Sequence, residues 1–291
     1  MEYLKYILFS FIVLALSSCE YDLIRFGWTD YSVDKRFADS KAYNESHPAP
    51  CLNVNFDEYS FTATSDFHLH TDSVFLPEFF KYINNSNSAF VVLNGDLYNS
   101  KEEYADFAYS AFAEGIKIPA YYTCGNHGQY FGWEIFFNRW GSSTYSFTVT
   151  TPNYKDLYIA LETGSSTLGT AQYQWLLEEL AKREEYRYCI IFTHSNLTYQ
   201  GLANGVFTQE ETVVLFDLFA KNNVNMVISG HSHRENDLTI EGVRYVTNGA
   251  IKSGEFGTCV VKNAGVDFKF EDLDKKGILY LDSGNYFEVL N

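Results

Sequence analysis

The amino-acid sequence predicts an α/β fold, and three observations lead to that prediction. Short apolar or β-prone runs recur along the chain, amphipathic helices with capping residues lie between them, and the sequence has no internal repeat or flexible linker. The 291 residues are enough to bury a substantial core. The composition is 46% hydrophobic and 18% aromatic, which is typical of a globular protein rather than a disordered one.

Five runs are expected to form buried strands, because each is nearly continuous in apolar or β-prone residues. They are Tyr59–Thr64, Ala89–Leu93, Ile118–Thr123, Tyr188–Thr193 and Val224–Ser229. Two later stretches of alternating pattern, Leu238–Val246 and Cys259–Phe270, are expected to form strands of a second sheet.

Three helices are expected between the strands, each with a starting signal. Ser100 and Glu103 form a capping box ahead of an apolar stripe, and Thr208 and Glu211 form a second box before Val213–Ala220. Thr170 is expected to cap a third helix. The inward stripe of that helix is predicted to be Tyr173, Leu176, Leu177, Leu180 and Ala181.

The N-terminus predicts export. Ile7–Leu16 is an apolar run broken only by Ser10, too short for a comfortable transmembrane helix and typical of a signal peptide. Leu16-Ser17-Ser18-Cys19 follows it and resembles the lipobox of bacterial lipoproteins. The resemblance implies cleavage before Cys19 and acylation of its thiol; an uncleaved N-terminal anchor is the alternative. In both cases the functional domain is expected outside the cytoplasm, at the periplasmic or cell-surface face of a membrane.

The charge balance limits the classes of partner. The formal net charge is −16, from 37 acidic and 21 basic residues, and no run of Lys or Arg stands out. This argues against nucleic acid, whose backbone needs a basic stripe. A protein this acidic must create positive potential locally to bind anions, and bound metal ions would do so.

Four cysteines remain after Cys19, with no CxxC pair and no Cys/His zinc-ribbon spacing. They are Cys51, Cys124, Cys189 and Cys259. Cys124 and Cys189 lie in apolar runs and are interpreted as buried hydrophobic residues. An exported protein could instead pair two of the four as a disulfide.

Polar residues of a similar kind follow all five predicted strands. They are Asp66, His68, Asp96, Asn126, His127, His194, His231 and His233. Because ligands of open α/β sheets bind at the carboxyl ends of the strands, we expect these side chains to converge. Carboxylates and imidazoles suit Zn, Mn and Fe. The set exceeds what one ion needs, so two ions are the simpler arrangement.

Five motifs, in this order, resemble those of the calcineurin-like metallophosphoesterases: Asp66-x-His68, Gly95-Asp96, Gly125-Asn126-His127, His194 and Gly230-His231-x-His233. Gln172 and Trp175-Leu176 also resemble a helix often seen between the third and fourth motifs. The resemblance covers roughly residues 56 to 235. It implies a central two-sheet β-sandwich flanked by helices in four α/β/β/α layers, with a metal site at the carboxyl ends of the strands. We therefore divide the chain into a signal peptide (1–18), an anchor and lead-in segment (19–55) and a single metallophosphoesterase domain (56–291).

The resemblance also implies an activity and residue roles. The substrate would be a small phosphate monoester or diester, attacked by a hydroxide between two transition-metal ions (Mn, Fe or Zn). The roles carried over are Asp66, His68 and His233 on the first ion, Asn126, His194 and His231 on the second, and Asp96 bridging both. His127 would stabilise the transition state or protonate the leaving oxygen.

Gly128 departs from the family pattern, because an acidic residue usually follows the histidine of the third motif. This keeps open an alternative: a catalytically degenerate, metal-containing surface lipoprotein that binds a ligand or partner. No protein partner can be inferred from the sequence, and a nuclease is disfavoured by the acidic charge.

Several residues near the motifs have no assigned role. His47 and His70 are interpreted as surface or loop residues. Four residues that follow motif residues are candidates for the rim of the substrate site, with ordinary packing as the equal alternative for the aromatic ones. They are Tyr130, Phe131, Asn196 and Tyr199.

Overall fold

The computed structural model describes residues 31–70, 75–129, 132–198 and 207–273, together with two short strands beyond them. Its α-helices are α1 Val33–Ser46, α2 Leu76–Asn85, α3 Glu102–Gly115, α4 Glu134–Trp140, α5 Gly169–Leu180 and α6 Gln209–Lys221. Its first strands are β1 Leu52–Asn53, β2 Tyr59–Thr64, β3 Ser88–Asn94, β4 Ala120–Thr123, β5 Tyr145–Thr150, β6 Lys155–Leu161 and β7 Cys189–Thr193. The later strands are β8 Met226–Ser229, β9 Asn236–Ile240, β10 Val243–Thr247, β11 Glu255–Lys262, β12 Gly265–Asp272, β13 Leu279–Tyr280 and β14 Tyr286–Phe287.

Two sheets form the centre of the fold. The first has seven strands in the order β1-β5-β6-β7-β8-β10-β9, and the second has five in the order β12-β11-β2-β3-β4. The strands that precede the predicted site residues lie in parallel runs: β2, β3 and β4 in the second sheet, and β7 and β8, beside β6, in the first. Parallel neighbours place their carboxyl ends at one edge, which gathers the loops that follow them.

Three hydrophobic layers hold the sheets and helices together, and the alternation of side chains along each strand produces them. Between the sheets lie Phe61, Phe90, Val92, Phe147, Tyr158, Ile190 and Phe192. The outer face of the five-stranded sheet packs on α2, α3 and α4 through Val91, Leu93, Phe79, Ile83, Phe112 and Phe136. The outer face of the seven-stranded sheet packs on α5 and α6 through Ile159, Ile191, Leu176, Leu180, Leu215 and Phe219. The predicted four-layer α/β/β/α fold is confirmed.

All five predicted buried strands are present, with ends shifted by up to two residues. The prediction for the later strands is wrong in one respect. Leu238–Val246 and Cys259–Phe270 are each a hairpin rather than a strand, and they do not form a sheet together. The hairpin β9–β10 extends the seven-stranded sheet, whereas β11–β12 extends the five-stranded sheet. Alternation reveals a half-buried strand but not the neighbour with which it pairs.

The predicted helix starts are correct in one case of three. Thr208 is the N-cap of α6, and its hydroxyl accepts from the Glu211 N–H at 3.2 Å. Ser100 does not cap α3, which starts after Lys101 without a side-chain cap. Thr170 lies inside α5, whose N-cap is Leu168.

The predicted inward stripe of α5 is also partly wrong. Leu176 and Leu180 are buried, but Ala181 is the exposed C-cap residue. The fully buried Gln172 lies on the inward face instead. Its side chain accepts from the Glu162 N–H and the Thr144 hydroxyl, which fastens α5 to the sheet.

The lead-in segment forms helix α1, which packs against α5. Arg36 on this helix is 1% exposed and forms an ion pair with the equally buried Glu162, with Nε 2.9 Å from Oε2. The same Glu162 carboxylate accepts from the side-chain amide of Gln129 and from the Gly164 N–H. Gln129 follows the third motif by two residues, so α1 is connected to the loop that carries Asn126 and His127.

No helix within the described residues is long and apolar enough to cross a bilayer. The predicted signal peptide and Cys19 lie outside the described residues. The four other cysteines are free thiols: Cys124, Cys189 and Cys259 are buried, as predicted for the first two, and Cys51 is exposed.

Candidate metal centre

The loops after five strands meet at one end of the sandwich. In the five-stranded sheet, Asp66 and His68 follow β2, Asp96 follows β3, and Asn126 and His127 follow β4. In the seven-stranded sheet, His194 follows β7, and His231 and His233 follow β8. Directly beneath these loops, the side-chain amide of Asn94 links the two sheets. It donates to the carbonyls of Thr193 at 2.8 Å and Ile228 at 3.1 Å. The convergence that the sequence predicted is present.

The donor atoms fall into two groups. In the first, Nε2 of His233 lies 3.0 Å from Nε2 of His68 and 3.1 Å from Oδ1 of Asp66. In the second, Nε2 of His194 lies 3.1 Å from Oδ1 of Asn126. His231 joins the second group, with a ligand atom within 4.8 Å of those of Asp96 and His194.

Asp96 lies between the two groups. Its Oδ2 is 3.7 Å from Nε2 of His68 and 3.3 Å from Nε2 of His194. Its other oxygen, Oδ1, accepts the backbone N–H of His127 at 2.9 Å. Asp66 is held in the same way, with Oδ2 accepting the His231 N–H at 2.9 Å. Each carboxylate is thus anchored by one oxygen to backbone and presents the other to the imidazoles.

The backbone around these residues is unusual. Nine non-glycine residues in the described part of the chain have positive φ, and five of them are predicted ligands. They are Asp66, His68, Asp96, His231 and His233. Such conformations cost free energy and are retained mainly where a site needs them. Gly125 is needed for a different reason: a Cβ there would lie 2.2 Å from Oδ1 of Asp96.

Burial and charge together set the ionisation of the cluster. Burial disfavours the Asp66 carboxylate, yet hydrogen bonds from His233 and His68 hold its pKa well below its usual range. Burial likewise opposes ionisation of Asp96, but its attraction to His194 lowers its pKa. Burial alone would lower the pKa of the His194 imidazole, but its attraction to the Asp96 carboxylate is stronger and raises that pKa to about 9. The two buried carboxylates therefore favour positively charged neighbours.

These residues fit metal ions. Asp66 and Asp96 are at most 2% exposed, and within the described residues their ion-pair partners are histidines rather than Lys or Arg. Buried carboxylates without a permanent cation are costly, and metal ions would neutralise them. Bonds of about 2.0–2.2 Å to one ion separate its ligands by roughly 3 to 3.5 Å, close to the spacings above. Nδ1 of His194 lies 3.0 Å from the carbonyl of Asn94, which fixes Nε2 as the ligand nitrogen.

His127 lies beside the two groups. Its ring centroid is 4.5 Å from that of His68, and one of its nitrogens is within 4.8 Å of the ligand atoms of His68 and Asp96. Its Nδ1 is engaged elsewhere, 3.0 Å from Oδ1 of Asn99 and 3.1 Å from Oγ of Ser100. Burial lowers the pKa of the His127 imidazole.

A family model for calcineurin-like phosphoesterases matches residues 59–235, which is more than half of the chain. The chain belongs to the calcineurin-like phosphoesterase family. This family consists of metal-dependent phosphoester hydrolases with two metal ions, and all seven predicted metal ligands of this chain lie within the matched range. Helix α1 precedes that range. No curated protein matches the sequence significantly.

Solved structures share the fold of this calcineurin-like phosphoesterase at low identity. A dimetal phosphatase from Danio rerio is 14% identical, with a TM-score of 0.60 over 74% of this chain and 96% of that one. GAP50, the anchor in the inner membrane complex of Plasmodium, is 14% identical, with a TM-score of 0.59 over 77% of this chain and 87% of that one. The purple acid phosphatase PPD1 of yellow lupin, Lupinus luteus, is 13% identical, with a TM-score of 0.55 over 80% of this chain and 53% of that one. At these identities the likeness establishes the fold alone.

Of the four candidate rim residues, only Asn196 lies within the described part of the chain. Asn196 is 4% exposed, so its side chain has little surface accessible from solvent, and its place at the substrate rim stays a prediction. Tyr130, Phe131 and Tyr199 lie outside the described residues. His47 is exposed, as predicted.

Three residues near His127 were missed by the sequence analysis. Asn99 and Ser100 contact its Nδ1, and His70 contacts Asn99, with Nε2 2.8 Å from the amide Nδ2. His70 is exposed, as predicted, but it is not an isolated loop residue. The sequence carries no signal for this contact, because it depends on how two separate loops lie against each other.

Proposed function

We propose that this chain is a metal-dependent hydrolase of phosphate esters. One observation carries the proposal: two groups of donor atoms share the Asp96 carboxylate, whose Oδ2 lies 3.7 Å from His68 Nε2 in one group and 3.3 Å from His194 Nε2 in the other. A carboxylate in this position can bind two cations at once. When bound, two such ions activate a water molecule and neutralise the charge on the phosphoryl oxygens.

The ligand assignment follows the two groups. We assign one ion to Asp66, His68 and His233, the other to Asn126, His194 and His231, and the bridging position to Asp96. The spacings within each group support this division. Mn, Fe and Zn all suit this mixture of carboxylate, amide and imidazole ligands.

The protein's own contribution to the reaction centres on His127. Because Nδ1 of His127 faces Asn99 and Ser100, Nε2 is the nitrogen that takes up a proton to form the imidazolium and then gives that proton to the leaving oxygen. The fixed carboxylates and the His194–Asn94 contact hold the ligands in place before a substrate arrives, so little reorganisation accompanies the reaction. A phosphate monoester or diester is the substrate class that this arrangement serves.

We also propose that the protein is an exported lipoprotein, held at the periplasmic or cell-surface face of a bacterial membrane through Cys19. The apolar run Ile7–Leu16 directly before Leu16-Ser17-Ser18-Cys19 supports this. A single acyl chain binds a membrane only weakly, so stable anchoring requires further acyl chains on the same N-terminus.

The proposed activity is tested on the full chain in detergent, loaded with Mn, Fe or Zn. The substrates are nitrophenyl phosphate, bis-nitrophenyl phosphate, an alkyl phosphate and inorganic pyrophosphate. Wild type should retain close to two metal equivalents by elemental analysis and hydrolyse at least one ester. Asp96→Asn should lower metal content and reduce hydrolysis of every ester together, because a neutral amide holds both cations less well. Asp106→Asn, at an exposed carboxylate, is the matched control and should change neither.

Two outcomes would contradict the proposal in different ways. A folded wild-type protein that retains no metal would contradict the assignment of these residues as metal ligands. A protein that retains two metals but hydrolyses none of the esters would support the degenerate binding protein instead.

A further inference from the structure

We propose that helix α1 and the loop after β6 position the ligands of one of the two ions, the ion assigned to Asn126, His194 and His231. We call residues 162–166 the β6 loop and this ion the second ion. Neither α1 nor the β6 loop carries a predicted metal ligand. The inference rests on the proposed assignment of two ions, and it adds that helix α1, which precedes the residues matched by the family model, controls the affinity for one of them.

The β6 loop holds the backbone from which His194 extends. Oγ1 of Thr163 accepts the backbone N–H of His194 at 2.8 Å and that of Ser195 at 3.2 Å. The Ser195 hydroxyl donates back to the carbonyl of Thr163 at 2.7 Å. All three residues are fully buried, so water cannot replace these bonds without local opening. Thr163 therefore fixes the position of a ligand of the second ion.

The same loop holds the turn that supplies Asn126. The Glu162 carboxylate accepts from the side-chain amide nitrogen of Gln129, and the Ser165 hydroxyl donates to Oε1 of Gln129 at 2.9 Å. The Gln129 N–H donates to the carbonyl of Asn126 at 3.2 Å. The approach is close, because a Cβ on Gly164 would lie 2.3 Å from Nε2 of Gln129. The β6 loop thus contacts both loops whose ligands meet at the second ion.

Helix α1 holds the β6 loop through Arg36. Nε of Arg36 donates to Glu162 at 2.9 Å, and Nη2 donates to the Ser165 hydroxyl at 2.8 Å. Glu162 and Ser165 are the residues that hold Gln129, and the rigid guanidinium fixes their separation. Without Arg36, the Glu162 carboxylate would be buried without its cation, and the β6 loop would have to rearrange. That rearrangement would reach the second ion.

The other ion has separate supports. Its proposed ligands are Asp66, His68 and His233, and in the described part of the chain no hydrogen bond joins them to the β6 loop or to α1. The Asp66 N–H donates to the carbonyl of Gly95 at 3.1 Å, and the His68 N–H donates to that of Asp96 at 2.9 Å. Loosening α1 should therefore weaken the second ion and spare the other.

The test compares two buried ion pairs at opposite ends of strand β6. Arg36 pairs with Glu162 after the strand, whereas Arg187 pairs with Asp156 near its start, with Nη2 2.6 Å from Oδ2. The full chain in detergent is loaded with Mn and dialysed, its folding is checked by circular dichroism, and its metal is counted by elemental analysis. Wild type and Arg187→Met should retain close to two equivalents. Arg36→Met should retain close to one, because losing a residue that orients ligands lowers metal affinity by about 10- to 100-fold. Equal retention by the two variants, or loss of both ions in Arg36→Met, would overturn the proposal.

A second variant keeps the test decisive if Arg36→Met does not fold. Thr163→Val removes the hydroxyl that holds His194 and leaves the ion pair intact, so it should also retain close to one equivalent. Its control, Thr62→Val, removes an equally buried hydroxyl that contacts Ser88, and it should retain both ions. Retention of two ions by Thr163→Val would overturn the proposal.

Double variants identify which ion is lost. His231→Ala removes a proposed ligand of the second ion, and His68→Ala removes one of the other ion. Thr163→Val should cause no further loss in the His231→Ala background but should leave the His68→Ala protein with almost no metal. The reverse pattern would show that the β6 loop supports the other ion, and would overturn the proposal.

Metal counts also separate this inference from the proposed function. If wild type retains two ions but hydrolyses no ester, the proposed activity fails, and the counts still decide whether α1 and the β6 loop position the second ion. If wild type is an active hydrolase and both Arg36→Met and Thr163→Val retain two ions, only the positioning role fails.

Discussion

Replacing Arg36 with methionine should destabilise the protein strongly, although Arg36 lies outside the part of the chain that the family model matches. The guanidinium donates to Glu162 from Nε at 2.9 Å, to the carbonyl of Tyr31 from Nη1 at 2.6 Å and to the Ser165 hydroxyl from Nη2 at 2.8 Å. Both members of the ion pair are 1% exposed. Arg36→Met leaves the Glu162 carboxylate buried without its cation.

The size of the effect follows from burial. Removing one partner of a buried ion pair typically costs about 3–5 kcal/mol, because the remaining charge has neither water nor a counter-ion. For a domain of this size class, 1 kcal/mol corresponds to a few degrees in Tm, so Arg36→Met should lower Tm by roughly 6–20 °C. Urea unfolding followed by tryptophan fluorescence measures the same loss as a free energy.

Two further variants separate the charge effect from lost packing. Arg244→Met breaks a partly exposed pair with Asp237 and should cost less than about 1 kcal/mol. The double variant Arg36→Met/Glu162→Gln should recover part of the stability, since it removes the uncompensated charge. An Arg36→Met protein within about 0.5 kcal/mol of wild type would refute the reasoning, because changes of that size are typical of unimportant surface positions.

Three other outcomes are expected. Gly125→Ala should reduce the bound metal below two equivalents by elemental analysis, because its methyl group would lie 2.2 Å from Asp96 Oδ1. The control Gly242→Ala, with open space around the new methyl group, should retain both ions. Equal metal retention by the two variants would contradict this reasoning. Wild type should partition into the detergent phase and Cys19→Ser into the aqueous phase, whereas an intact mass that includes Met1–Ser18 would favour an uncleaved anchor. Chelation of the ions should lower Tm and their return should restore it, since metals that bind only the folded state stabilise it; an unchanged Tm would argue against tight binding.

Much of the fold and the metal centre could be predicted from the sequence, because the signals are local. Each central strand is apolar enough to be recognised in the sequence. The site residues come immediately after strand ends, and parallel strands bring these ends together at one edge of a sheet. What sequence patterns miss is set by contacts between distant segments. The box of Ser100 and Glu103 has the pattern of a helix start, yet the Ser100 hydroxyl contacts His127, and α3 begins two residues later without it.

The remaining differences have the same origin. The alternating runs after residue 236 identify hairpins, but pairing with β8 or with β2 is decided by the whole assembly. The lead-in segment has no strong hydrophobic pattern, so neither α1 nor the burial of Arg36 could be read from it. Asn99 is inconspicuous in the sequence because its contact with His127 depends on how two loops lie against each other.

If Cys19 is acylated as proposed, the docking of α1 limits how far the site can stand from a membrane. Helix α1 begins at Val33, fourteen residues beyond Cys19, and Arg36 and Glu162 connect it to Gln129 in the loop that carries Asn126 and His127. A chain of that length spans at most about 50 Å when fully extended. Under that anchoring, the start of α1 would stay within this distance of the bilayer surface.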